Sequence, residues 1–246
     1  DPSDENNLYF LANTPNSGQM SEVFFGETDW NSLWKYTYLG GNGADTNGTW
    51  TDLSANIPAN GLPMDNFNAQ GSYNLVVAIK PDDPSIVFIG GTNLYRSTDG
   101  FTTSSNTTHI GGYNPGSTIP FYEVYPNHHP DNHVLQFLPS DNNIMISATD
   151  GGIFKTMECT TPSVSWISLL NGYVTSQFYT IGIDHGENNS DIIFGGLQDN
   201  GTWWTNSTDP TAPWTMPSAG DGSFCAVEDG GSTYYFSRQR GRILKT

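Results

Sequence analysis

Apolar residues along this chain fall in short runs, many alternating with polar positions, and each run is cut off by Gly, Asn, Asp or Pro. Runs this short and this rich in Val, Ile, Phe, Tyr and Thr predict β-strands, and the punctuation between them predicts tight turns. The clearest unit is IMISATDGGIFKT, from Ile144 to Thr156: an apolar run, a turn, and a second run ending on a basic residue and a Thr. Three further segments align with it, namely IVFIGGTNLYRST from Ile86, IIFGGLQDNGTWWTN from Ile192 and TYYFSRQRGRILKT from Thr233. Each predicts a hairpin whose middle holds Gly, Asn or Asp able to take positive φ.

The starting points lie 58, 48 and 41 positions apart, which brackets the roughly 40 to 50 residues of a four-stranded propeller blade. A strand and a polar turn precede each hairpin: NLVVAIKPDDP from Asn74, HVLQFLPSDN from His133, FYTIGIDHGENN from Phe178 and SFCAVEDGG from Ser223. After two of the hairpins, Trp166 in SVSWISLLNGY and Trp214 in APWTMPSAG stand where a last strand would complete the unit. The predicted fold is therefore all-β, a β-propeller of four-stranded blades. Residues 71–246 carry the clear repeats, and residues 1–70 hold a divergent first blade made of NLYFLANT, VFFG, SLWKYTYLG and TWTDLS. The last hairpin copy stops at ILKT, inside the repeat, so the chain is expected to be a piece of a longer polypeptide whose ring is incomplete here and whose other domains are its partners.

Charge narrows the partners. Eight Lys and Arg stand against 25 Asp and Glu, a formal net charge of −17, so the field of the molecule repels phosphate and excludes nucleic acid. No apolar segment is long enough to span a bilayer as a helix. The carboxylates are spread through turns, which keeps the protein soluble; no cofactor is expected, although turns rich in carboxylate and carbonyl oxygen leave calcium possible. Cys159 and Cys225 either pair or stay as buried thiols. Scarce lysine and Asn-x-Ser/Thr triplets at Asn47, Asn106, Asn188, Asn200 and Asn206 fit an extracellular surface.

The phrases PDDPSIVFIGGTNLYRSTDG, DNHVLQFLPSDNNIMISATDGGIFKT, QFYTIGIDHGENNSDIIFGGLQDNGTWW and SAGDGSFCAVED resemble repeats of the large secreted propellers that include sortilin-type domains and the two-propeller xyloglucanases. They are similar above all to surface and secreted proteins of the Bacteroidetes, many of which carry a sorting domain for type IX secretion. The resemblance implies a secreted or surface-attached module that binds a glycan or a protein. It also implies an alternative, a glycoside hydrolase in which an aspartate from each of two propellers acts as acid or base across a gap of about 6.5 to 9.5 Å. Asp150, in SATDGGIFK, matches the position of one of them, although an Asp before Gly-Gly also suits a hairpin turn. A worn Asp-box is present as Ser97, Asp99 and Thr103, with Phe101 in place of its Gly and Ser104 in place of its Trp; the resemblance implies that Asp99 accepts backbone N–H bonds across a turn.

Other polar groups complete the candidate sites. Asp199 in LQDNG and Asp221 in AGDGS are loop acids of neighbouring repeats, expected either to converge at one mouth or to serve only their turns. Trp203 and Trp204 are adjacent, so in a strand they face opposite sides, and one is expected either to stack on a sugar or to pack between blades. In PNHHPDNH, with His128, His129, Asp131 and His133, an extended chain would put His129, Asp131 and His133 on one face as candidate transition-metal ligands. The alternative is a motif that fixes the loop before a strand.

Overall fold

A computed structural model of the chain describes residues 1–43, 47–119, 121–173, 175–186, 191–230 and 232–246. It divides into two compact units, Asp1–Gly172 and Tyr173–Thr246. Every aligned apolar run is a strand. In the first unit β5 (Val76–Lys80), β6 (Asp83–Gly90), β7 (Leu94–Ser97) and β8 (Thr107–Gly111) form one antiparallel meander. A second meander joins β9 (Asn132–Leu138), β10 (Asp141–Thr149), β11 (Gly152–Thr156) and β12 (Trp166–Ser168). The second unit holds a third meander, β13 (Thr180–Ile183), β14 (Ile193–Leu197), β15 (Gly201–Thr205) and β16 (Thr215–Ser218). A three-stranded sheet follows, of β17 (Cys225–Val227), β18 (Tyr234–Arg238) and β19 (Arg242–Lys245). The four repeats are thus the hairpins β6–β7, β10–β11, β14–β15 and β18–β19, and the fold is an all-β propeller of four-stranded blades. Among the described residues no helix is long and apolar enough to cross a membrane.

The first sheet, within residues 1–70, is not a meander. The first sheet contains β1 (Asn7–Asn13), β2 (Gln19–Glu22), β3 (Thr28–Tyr38) and β4 (Gly48–Asp52). Asn31 of β3 pairs with both Asn13 and Gln19, so β1 and β2 flank the long β3 on opposite edges. The VFFG segment is not a strand: Phe24–Gly26 is a 3-10 turn with Phe25 at φ 60, a conformation that no strand pairing accommodates.

Burial on both faces explains why β6, the second strand of its blade, is continuously apolar from Ile86 to Ile89. In β6, Val87 and Ile89 point toward the first sheet, packing with Leu33, Leu53, Phe67 and Phe101. Phe88 points the other way, into a cluster with Leu135, Phe137, Met145 and Trp166. Polar links cross the same seam. Trp166 Nε1 donates to the Ile110 carbonyl at 2.7 Å, and Arg96 donates to the carbonyls of Cys159 and Thr161 at 2.8 Å each.

A buried polar chain also runs through it. The Gly112 N–H donates to His128 Nδ1 at 3.1 Å, so the proton of this neutral ring is on Nε2, 3.0 Å from Ser147 Oγ. Ser147 donates to Asn132 Oδ1 at 3.2 Å and Asn132 Nδ2 to the Gly91 carbonyl at 3.0 Å. In the second unit the core is aromatic. Phe194 stacks on Trp204 of its own sheet and on Tyr234 and Phe236 of the next, with ring centroids 4.9 to 6.5 Å apart.

The worn Asp-box works by a different division of labour from the one expected. Ser97 Oγ takes the backbone N–H groups, of Asp99 at 3.2 Å and Phe101 at 2.8 Å. The Asp99 carboxylate accepts instead from the side chains of Ser97, Thr103 and Asn106 at 2.8, 2.6 and 3.0 Å. Phe101, standing where the Asp-box has Gly, takes the left-handed conformation, φ 59, and its full burial against Leu33 and Val87 offsets the strain. Burial by itself would raise the Asp99 pKa, yet hydrogen bonds from Thr103, Asn106, Ser97 and Thr102 hold it well below the usual carboxylate range. Its contribution to stability is therefore present above the unfolded carboxylate pKa of about 4 and lost as the pH falls below it. Asp99→Ala should cost on the order of 1–2 kcal/mol at pH 7, measured by urea unfolding, with the gap to the parent closing as the solution is acidified below that point.

Both cysteines are free, so no disulfide forms. Cys159 is buried in the blade-to-blade cluster of the first unit, and burial pushes both thiols up to about 11.

Candidate functional site

In a four-stranded meander the connection entering the first strand and the turn joining the second to the third leave from the same end. The loops before β5 and β9 and the turns β6–β7 and β10–β11 therefore share one end of the first unit, and the loops before β13 and β17 share one end of the second with the turn β14–β15. A repeated backbone lock holds each turn to the next blade's entering loop. The Asn132 N–H donates to the Gly91 carbonyl and the Gly222 N–H to the Leu197 carbonyl, both at 2.8 Å.

At this end of the first unit lies a polar cluster. The Asp150 carboxylate accepts from His133 Nε2 at 2.5 Å and from the Tyr73 hydroxyl at 3.1 Å to each oxygen. The Tyr73 and His133 rings meet edge to face, 5.2 Å between centroids. Beside them Asp131 Oδ1 accepts from Gln70 Nε2 at 2.9 Å and Asn74 Nδ2 at 2.7 Å, and the Asp150 N–H donates to the Asp131 carbonyl at 3.2 Å. Tyr73 is 58% exposed. The loop that presents it is strained, with Gln70, Gly71 and Ser72 all at positive φ, as loops that carry function often are. The cluster contains no Lys or Arg.

Each residue singled out in the sequence has a definite place. Asp150 does not occupy a positive-φ position; that conformation falls to Gly152, φ 119. Gly151 is needed because a Cβ there would lie 2.2 Å from the His129 ring. His129, Asp131 and His133 do not share a face, because Asp131 takes φ 66 and breaks the extended chain. His129 Nδ1 turns to the Pro130 carbonyl at 3.0 Å, Asp131 to Gln70 and Asn74, and His133 to Asp150. Among the described residues no group of three or more His, Cys, Asp or Glu side chains is arranged to hold a metal ion.

In the second unit Asp199 and Asp221 do meet, but as a turn lock: the Asp199 N–H donates to Asp221 Oδ1 at 2.9 Å, with Asp199 at φ 58. Next to them the Tyr179 hydroxyl donates to Gln198 Oε1. Trp204 belongs to the aromatic core with Phe194. Trp203 lies on the opposite face, paired in register with Gly195, and its Nε1 donates to the Asn200 carbonyl at 2.6 Å; both indoles are half-buried. Of the Asn-x-Ser/Thr triplets, Asn47, Asn106 and Asn200 already use their amide nitrogens, on the Asn42 side-chain oxygen, Asp99 and the Gln198 carbonyl, and Asn188 lies outside the described residues. Tyr73, Gln70 and Asn74 escaped the sequence reading; the only local signal is the Asn/Gly/Ser-rich stretch NAQGSYN leading into a strand.

No protein-family model matches the chain, and no curated protein matches it. Among solved structures it is similar to the GH74 enzyme of Niastella koreensis, with 16% identity and a TM-score of 0.44 over 99% of this chain. The chain spans 41% of that protein's length. It is also similar to the WD40 β-propeller domain of Doa1, with 13% identity and a TM-score of 0.31, over 87% of this chain and 57% of that one.

Proposed function

We propose that the chain is an extracellular or cell-surface propeller module that binds a glycan or protein ligand at the end where the entering loops emerge, centred in the first unit on Tyr73, His133 and Asp150. The observation that carries this reading is the convergence of an exposed tyrosine ring, an imidazole and a carboxylate on a strained loop end. Rings offer a flat apolar face and the polar groups offer hydrogen bonds at its rim, a combination suited to an uncharged, hydroxyl-rich chain. Abundant Asn, Ser and Thr with little Lys support an extracellular setting, and type IX secretion is proposed from the sequence resemblance alone.

A hydrolase is the second reading, favoured by Asp150 at the position matched by a catalytic aspartate in the xyloglucanases. Against it, both Asp150 oxygens are engaged by Tyr73 and one of them by His133 as well, which fits a positioned acceptor better than an acid poised over a leaving group. The test uses xyloglucan for both arms. Electrophoresis through a xyloglucan-containing gel should retard the parent protein, and Tyr73→Ala should migrate at least fivefold less retarded with an unchanged melting temperature. No reducing sugar should appear with the parent or with Asp150→Ala. Release by the parent that Asp150→Ala abolishes would establish the hydrolase instead, and an unretarded parent would remove the xyloglucan ligand.

A further inference from the structure

A long connection between β8 and β9 builds a second surface. Within it Tyr113 bridges Val124 and Thr118 bridges Phe121 in antiparallel fashion, and the Asn114 N–H donates to the Glu123 carbonyl at 2.8 Å. The result is a short two-legged finger. It is pinned to the β4–β5 connection by the Gly116 N–H, which donates to Asp65 Oδ1 at 2.9 Å. Instead of hiding its rings, the finger displays them: Phe121 is 86% and Tyr122 55% exposed.

The rings continue onto the first sheet. Tyr122 meets Tyr113 edge to face at 5.5 Å, and Tyr113 meets Phe24 in the same manner at 5.6 Å. The adjacent Phe25, 76% exposed, is held at φ 60 by the 3-10 turn. An aromatic in that conformation with its ring in water has neither local preference nor burial to recommend it. Two separate segments thus present one aromatic ladder.

Charge identifies what the ladder would take. Residues 19–27 and 112–131 contain no Lys or Arg, while Glu22, Glu27 and Glu123 stand exposed beside the rings. The whole chain adds a net charge of −17. Aromatic faces ringed by carboxylates attract ammonium and guanidinium groups by cation–π contact and ion pairing together, and they repel anionic polymers and anionic bilayers. We propose that Phe25, Phe121 and Tyr122, flanked by Glu22, Glu27 and Glu123, form a docking surface for a basic segment of a protein partner. This deepens the ligand-binding reading of the same end of the blades and rests on it only for that location; the residues are distinct from Tyr73, His133 and Asp150.

The experiment is fluorescence anisotropy of the full chain with a labelled decapeptide of alternating Arg and Gly. Binding should weaken at least fivefold between 50 and 300 mM salt. The double variant Phe121→Ala/Tyr122→Ala, which leaves the net charge untouched and removes only exposed rings, should bind at least tenfold more weakly with an unchanged melting temperature. Equal binding by parent and variant would overturn the proposal, since attraction would then be diffuse. So would ring-dependent binding of a neutral oligosaccharide, of zwitterionic vesicles or of a second copy of the chain, the last seen as concentration-dependent sedimentation, in place of the peptide. Tyr73→Ala separates the two surfaces: it should cut glycan retardation at least fivefold and leave peptide binding unchanged.

Discussion

Between pH 6.5 and 4.5 the stability of the first unit should fall by about 5 kcal/mol, because two of its histidines are held neutral. His128 is buried against Trp166 and Phe154, with centroids 4.3 and 5.4 Å away. Burial first, and then the neighbouring His129 and His109, push its pKa down to about 3. Its Nδ1 must stay unprotonated to accept from Gly112. His109 sits between the rings of Tyr95 and Tyr125, 5.3 and 5.8 Å away, where burial pushes it down to about 4 against a smaller opposing effect of Asp65. Among the described residues, neither of its ring nitrogens has a hydrogen-bond partner.

Both folded pKa values lie below the unfolded value of about 6.5, so below that pH the unfolded chain binds more protons than the native one. Stability is then unaffected above about pH 6.5 and declines by about 1.4 kcal/mol per pH unit for each histidine until its folded pKa is reached. Urea unfolding at half-unit steps of pH measures the slope. Asp99 loses its contribution only below about pH 4, so the two effects occupy different windows. His109→Phe keeps a ring between the two tyrosines and deletes the unpartnered nitrogens; it should halve the slope and raise stability at pH 5 by about 2 kcal/mol. Identical slopes for parent and variant would show that His109 is accessible to protons in the native state.

The repeats were most legible where a blade's second strand is buried on both faces, as in β6. Val87, Phe88 and Ile89 have no solvent side, so the run reads as apolar throughout and recurs with the blade. Strand β8 went unmarked because TTHIG carries its burial in a single Ile110 and a histidine. The order of the first sheet was hidden for another reason: β1 and β2 are placed by pairing to a long β3, and a strand's choice of edge leaves no trace in its own periodicity. The Asp150 site was half visible. An acid in a turn is easy to notice, but its partners Tyr73 and His133 lie 77 and 17 positions away, brought to it by blade packing and by strained φ values in 70–72 that an Asn/Gly-rich loop does not announce. His129, Asp131 and His133 show the converse error, since spacing suggested one face until the φ of Asp131 turned the chain.

Replacing Gly196 by Ala should be among the most damaging single-atom additions in the second unit, costing about 3 kcal/mol or more. A Cβ at Gly196 would lie 2.1 Å from the Ser223 carbonyl oxygen, 2.4 Å from the Ser223 nitrogen and 2.7 Å from the Gly222 carbonyl carbon. All three are backbone atoms of the loop entering the next blade, and no rotamer change relieves such a clash. The same loop carries the Gly222 N–H bond to the Leu197 carbonyl and the Asp221 carboxylate that takes the Asp199 N–H. Forcing it outward should therefore loosen the turn as well as the sheet. Gly195→Ala provides the contrast, because the nearest atoms to its Cβ all belong to the Phe178 ring, at 2.2 to 3.0 Å. That side chain can rotate, at the expense of its stack on Trp214, so the cost should be smaller, about 1–2 kcal/mol. Urea unfolding of the full chain ranks the two variants, and hydrogen exchange at the Asp199 amide, lost in Gly196→Ala and retained in Gly195→Ala, locates the damage. If the two variants unfold at the same urea concentration, the backbone approach at Gly196 has slack, and the GGLQDNG motif needs a reason other than close contact between blades.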